Sequence, residues 1–278
     1  MRRPVALLAA CALPIALAAH ADELIRQAND QESLILGISH LHAGVQAFDK
    51  AGASVLNEES GPQIQIGYGN TRMRTFLGLQ NFYTNVEISF GLSQQDYDGN
   101  SYSPSTGARG TSNGPFNVET EAMRLRVGYS QELGAGRRVA LTPFVGLVQL
   151  AWLRAPSTYS GLTAYYHYAA EAGLLAQASL TRNVVFGVDA SIGRTFGSWQ
   201  LDSHDLIDPH AAITTSFALY LDNRTTADWH QRLEIRESFL RYGEPARTGG
   251  FFEPRRNSAL SFTLEFGTEL NLFESLFH

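Results

Sequence analysis

The sequence predicts an all-β fold: a single antiparallel transmembrane β-barrel of about ten strands, within a range of eight to twelve. Three observations predict it. Apolar residues alternate with a period of two over segments of 9 to 16 residues, longer than the ~5–6 residues usual in soluble strands. The links between segments alternate between short and long. After residue 21 no apolar run is long enough to cross a membrane as a helix, so the crossing falls to strands.

The elements follow in chain order. Met1-Arg2-Arg3 precedes an apolar run from Pro4 to Ala19, then Ala19-His20-Ala21 before Asp22. A positive start, a short apolar core and a small-x-small exit make residues 1–21 a secretory signal peptide, with cleavage after Ala21. The run falls short of the ~20 residues a spanning helix needs. Cys11, the one cysteine, follows Leu8-Ala9-Ala10 in the manner of a lipoprotein processing box. It is read as a small residue of the signal core, because a box there would leave the better cleavage site unused. Residues 22–278 then form one domain without cysteine, hence without disulfides or thiolate chemistry. Their charge is the −6 of the whole chain less Arg2 and Arg3, about −8, which excludes nucleic acid as a partner.

Ten strands are read at roughly 33–46, 62–70, 74–92, 116–132, 138–153, 163–180, 184–197, 210–221, 228–242 and 258–273. The clearest are those with Val184, Phe186, Val188, Ala190 and Ile192 on one face, and with Leu260, Phe262, Leu264 and Phe266 on one face. Short links are expected at Asn70–Met73, Leu133–Arg137, Thr181–Asn183 and Asp222–Ala227. Long loops are expected at 48–61, 93–115 and 243–257, facing the outside of the cell. Aromatics near strand ends, among them Trp152, Trp199, Tyr220, Trp229 and Tyr242, would form interfacial girdles.

At this point the chain resembles the small outer-membrane β-barrel proteins of Gram-negative bacteria, as a class and over its whole length after the leader. The resemblance implies residence in the cell outer membrane, with barrel-insertion machinery, lipid and lipopolysaccharide as partners and a porin-like architecture. That class usually closes on a C-terminal aromatic residue. Here Phe277 is penultimate and His278 is last, so the final strand is expected to end near Phe273.

If the apolar parity faces lipid, the other parity turns Asn85, Glu87, Arg124, Arg126, Glu171, Asp189, Arg232, Glu234, Arg236 and Glu265 inward. Mid-strand, a lipid-facing arginine costs about 2–4 kcal/mol, so the lumen is the cheaper place. There the two signs either pair into a plug or line a narrow pore.

Two loop constellations carry the chemical alternatives. Asp96 and Asp98 lie in the second long loop, Asp202 and His204 in the fourth. A histidine base, an orienting carboxylate and an opposing pair of carboxylates can polarise a water. This layout is similar to the omptin family of outer-membrane proteases, which are ten-stranded and bring such residues from two loops. That resemblance implies Asp96, Asp98, Asp202 and His204 as the site. Omptin strands rise far above the membrane, whereas the strands here are expected to be shorter. His204, Asp205, Asp208 and His210 offer metal donors, at a spacing that matches no known ligand pattern, and are read as solvated loop residues. His40 and His42 share one parity and are candidates for the lumen.

The functional expectation is a barrel with no catalytic centre, cofactor or metal. It would serve as a structural or surface-interaction protein or a narrow channel, its extracellular ligand unidentified. The alternatives are an omptin-like hydrolase and a soluble periplasmic sandwich.

Overall fold

The computed structural model describes residues 23–48, 54–102, 109–133, 138–154, 163–202, 205–206, 212–226, 228–241 and 255–268. Residues 1–22, where the signal peptide is expected, Tyr242 and the tail beyond Thr268, including Phe273 and Phe277, lie outside them. Ten long strands form the wall: β1 (Gln31–Phe48), β2 (Ser54–Phe76), β3 (Leu79–Tyr102), β4 (Arg109–Tyr129) and β5 (Val139–Arg154), then β6 (Thr163–Ser179), β7 (Val184–Asp202), β8 (Ile213–Arg224), β9 (Trp229–Arg241) and β10 (Arg255–Thr268). Each pairs antiparallel with the next, and β10 pairs with β1 through Leu264↔Leu36, so the sheet closes on itself. Closure removes both sheet edges and excludes the sandwich. Two short strands flank the wall, Gln131–Leu133 against the start of β5 and Asp205–Leu206 against the end of β7.

Closure also assigns the two strand parities, because successive side chains point to opposite faces. On β1, Leu34, Leu36 and Ile38 are exposed while Ile35 and Leu41 are buried. Every wall strand carries such exposed apolar residues on its outer face, among them Ile66, Phe90, Val127, Leu147, Leu174 and Leu233. In register, Leu36 lies beside Ile66 on one neighbour and Leu264 on the other, and Leu264 beside Leu233. A continuous apolar band around a closed barrel is a lipid-facing surface. Among the described residues no helix is long and apolar enough to cross a membrane.

Several expectations are corrected. The first short turn is not Asn70–Met73; β2 runs on to Phe76, and the turn is Leu77-Gly78, with φ of 49° and 81°. Two consecutive positive φ values are what a type I′ hairpin demands, so turn geometry prevails over leucine's reluctance. The strands are also longer than read: β2, β3 and β4 have 23, 24 and 21 residues, against the ~9–11 that cross a bilayer. The expected loop at 93–115 is mostly a continuation of β3 and β4, paired without slippage from Ser93↔Val118 to Tyr102↔Arg109. Cross-strand pairing there overrides the weak strand propensity of its Gly, Ser and Asn residues. His40 and His42 share the outward parity of Leu36 and Ile38 and are exposed. Trp152 and Tyr220, expected in the girdles, are buried inside the lumen at 2% and 4% exposure.

One element had no counterpart in the sequence reading. Helix α1 (Glu23–Ala28) has six residues and sits at the short-turn, periplasmic end. So short a segment shows no helical period and is held by tertiary packing. Leu24, Ile25 and Ala28 bury against Ala140 of β5 and Val185 of β7.

Candidate functional site

The lumen is the candidate site, and it is filled in layers. The lowest is α1 and its fastenings. Asn29 and Gln177 exchange side-chain amide hydrogen bonds of 2.7 and 3.1 Å, and Gln177 Nε2 also donates to the Tyr220 hydroxyl at 2.7 Å. The Arg232 guanidinium donates to the Ala28 carbonyl at 2.8 Å, and Gln31 Nε2 reaches the same carbonyl at 3.0 Å. At the rim Arg72 pairs with Glu32 at 2.7 Å and Arg74 with Asp30 at 3.3 Å, which ties β2 to β1 and the helix exit.

Above the helix Met73, Tyr83, Phe144, Leu175 and Tyr220 pack across the lumen. Two glycines make room for the rings. A Cβ at Gly187 would collide with the Tyr220 ring, and one at Gly173 with Phe144.

The charged layer comes next. Arg126 of β4 donates to Glu171 of β6 at 2.7 Å and to Asp189 of β7 at 2.6 Å, with its guanidinium 4.2 Å over the Phe144 ring. Arg124 pairs with Glu87 of β3 at 3.2 Å and approaches Glu171 at 3.9 Å. Arg236 of β9 meets Asp189 at 3.3 Å and Glu234 at 2.7 Å. Arg232 stands 3.7 Å from Glu265 and 3.2 Å from Asp222. The ion pairs fall into two groups: one runs from Glu87 through Arg124, Glu171, Arg126, Asp189 and Arg236 to Glu234 and reaches across the lumen, and the other joins Arg232 to Glu265 and Asp222 on the neighbouring strands. Each arginine meets two carboxylates, the condition on which buried charge is tolerated.

The sequence reading missed two members of this layer. Asp222 and His230 are fully buried and joined Oδ1 to Nδ1 at 2.7 Å. The signal was present: Asp222 continues the inward parity of Ala218 and Tyr220, and His230 that of Arg232 and Glu234. Asp222 was lost because it was assigned to the turn Asp222–Ala227, and His230, inside the strand read at 228–242, was not counted among the inward charges.

On the extracellular side of the network is a cavity of about 190 Å³. Above it Leu41, Ala43, Val118 and Trp152 pack together.

The loop constellation is only partly within view. Asp96 and Asp98, near the extracellular end of β3, are exposed and share the outward parity of Phe90 and Leu92, while Ser93 and Gln95 turn inward. Asp202 ends β7, its side chain outside the described residues, as are His204, Asp208 and His210 entirely. Among the described residues no three His, Cys, Asp or Glu are grouped to hold a metal ion.

No family model matches the chain, and no curated protein sequence matches it. Solved structures do. The outer membrane protease OmpT from Escherichia coli aligns over 86% of this chain and 97% of its own, with a TM-score of 0.52 and 8% identity. The translocator domain of the autotransporter NalP from Neisseria meningitidis aligns over 84% and 88%, with a TM-score of 0.40 and 12% identity. The outer membrane protein OprG from Pseudomonas aeruginosa aligns over 86% and 96%, at 0.38 and 10%. At these identities the likeness to OmpT is one of fold. A closed antiparallel barrel, apolar outside on every strand and charged within, is the architecture of a transmembrane β-barrel, and this chain is a β-barrel protein of the cell outer membrane.

Proposed function

We propose that this barrel has a closed lumen and conducts no ions, and that it works as a structural and surface-interaction protein through its extracellular end. The observation that supports the reading is Arg126, 5% exposed and held between Glu171 and Asp189 from two other strands. With α1 beneath it, the polar lumen becomes a plug. Lipid and lipopolysaccharide would contact the outer apolar band, and the upward extensions of β2, β3 and β4 would present the binding surface. The test is ion conductance of the reconstituted protein in a planar bilayer. A flat trace is expected for the full chain; steady single-channel current would replace the plug with a narrow channel.

A second reading, an outer-membrane hydrolase, is favoured by one observation: Asp96, Asp98 and Asp202 all stand at the extracellular ends of their strands. It requires the two sides to share one water. The outward parity of Asp96 and Asp98 supports the non-catalytic reading instead. Cleavage of a peptide library by whole cells, lost on Asp202→Asn and on His204→Ala, would establish the hydrolase.

A further inference from the structure

A carboxylate and a guanidinium stand among the apolar residues of the outer face. Glu237 of β9 is exposed and shares the outward parity of Leu233 and Ile235. Phe217 of β8 and Leu260 of β10 lie beside it in register. Ile235 and Phe239 lie two residues to either side on its own strand, and all four neighbours are exposed. Arg194 of β7 is exposed and set in the same way, beside Ile213 of β8 and between Ile192 and Phe196, all three exposed. Neither charge has an ion-pair or hydrogen-bond partner for its side chain among the described residues. Ionisable groups turned to hydrocarbon are costly, and in membrane proteins they are found paired with one another.

We propose that the face made by β7, β8 and β9 docks a second copy of this chain within the membrane, with Arg194 of each copy against Glu237 of the other. An isologous interface needs a patch that is its own complement. A two-fold axis along the membrane normal, passing β8, sets β7 of one copy opposite β9 of the other. Cation then meets anion twice and neither charge is left over. The register places the axis: Arg194 is level with Ile213 and Glu237 with Phe217, so Thr215 lies midway between them on β8. Thr215 is smaller than either neighbour, and small residues let two membrane-embedded surfaces approach. The heights agree as well. Ladder partners climb from Leu36 through Ile66, Phe90, Glu121 and Ala151 to Tyr166, near the extracellular end of β6. Glu237 is reached from Ala190 of β7 through Phe217, and Arg194 lies four residues above Ala190. With ~4.8 Å between strands, ~3.3 Å per residue and a tilt of ~40°, Arg194 and Glu237 differ in height by only ~4 Å. Two long side chains facing each other span that difference. A lipopolysaccharide phosphate would satisfy Arg194 and repel Glu237, and a divalent cation would do the reverse; a second copy satisfies both.

The test is energy transfer between copies of the full chain in phospholipid vesicles. Cys11, the one cysteine, is replaced by alanine, and Leu77→Cys on an exposed turn away from the proposed face carries donor or acceptor dye. Transfer is expected to rise saturably with the protein-to-lipid ratio and to fall when unlabelled chain is added. Arg194→Gln or Glu237→Gln removes both pairs at once and should weaken association about tenfold. Arg194→Glu or Glu237→Arg alone should weaken it further, because like charges then face each other. The two reversals combined should restore it, since the two-fold axis keeps each position opposite the other. Transfer no greater than random crowding gives, at every ratio, overturns the proposal. So does association unmoved by the glutamine variants, or a double reversal no tighter than either single one. The glutamine variants put no new charge into the apolar band, so they decide the question even where a reversed charge prevents insertion.

Discussion

Replacing Arg126 by methionine tests whether the lumen network holds the barrel together. The side chain is 5% exposed, so solvent does not screen its contacts, and it makes two short ion pairs, at 2.7 and 2.6 Å. Removing one member of a buried ion pair typically costs about 3–5 kcal/mol, because the partner charge is left behind. Here two carboxylates are left, but neither is stranded. Glu171 keeps the Ser191 hydroxyl at 2.8 Å and Arg124 at 3.9 Å, and Asp189 keeps Arg236 at 3.3 Å. The low end of the range therefore applies, about 3 kcal/mol. The loss should be recovered when the carboxylates are neutralised as well. Arg126→Met with Glu171→Gln and Asp189→Asn should return to within about 1–2 kcal/mol of the parent, since a buried triad replaced by neutral groups of similar volume is close to neutral. Arg124 and Arg236 would still have Glu87 and Glu234. The assay is equilibrium urea unfolding in lipid vesicles, with the folded fraction read from boiled against unboiled mobility on gels. A single variant within 1 kcal/mol of the parent, or a triple variant no better than the single, would refute the reasoning.

Three further outcomes are expected. Leu77→Gly should stabilise the barrel by about 1 kcal/mol in the same assay, because Leu77 holds φ at 49° on an exposed turn that glycine adopts without penalty. Gly187→Val should destabilise it by about 1–3 kcal/mol, since the added carbons meet the Tyr220 ring, whose hydroxyl secures Gln177 and through it Asn29; a neutral result would mean that the aromatic layer is loosely packed. Leu36→Arg, placed in the outer band between Ile66 and Leu264, should lower stability by about 2–4 kcal/mol in vesicles. If that arginine is tolerated, the band does not face lipid.

Strand parity was legible in the sequence because its cause is local. A period of two puts Leu264 on one face and Glu265 on the other whatever the rest of the chain does, and a mid-strand charge has one inexpensive direction to point. Strand number, the outer apolar band and the inward positions of Arg126, Glu171 and Asp189 all follow from that rule. What depends on cross-strand pairing and packing rather than on alternation was hidden. The turn at Leu77 is set by the pairing of β2 with β3, and the length of β3 by the pairing of Tyr102 with Arg109. Trp152 and Tyr220 sit at strand ends, where sequence suggests a girdle, yet their parity carries them inside, where Gly187 leaves space for one of the rings. Helix α1 exists because a closed barrel offers its six residues an apolar seat between Ala140 and Val185. By itself the sequence determined that this chain is a barrel and which parity of each clear strand turns inward, because alternation acts residue by residue. Only the tertiary structure decided that α1 packs against β5 and β7 at one end of the lumen and that a cavity lies beyond the charged residues, because such contacts and cavity shape exist only once ten strands have closed around a common axis.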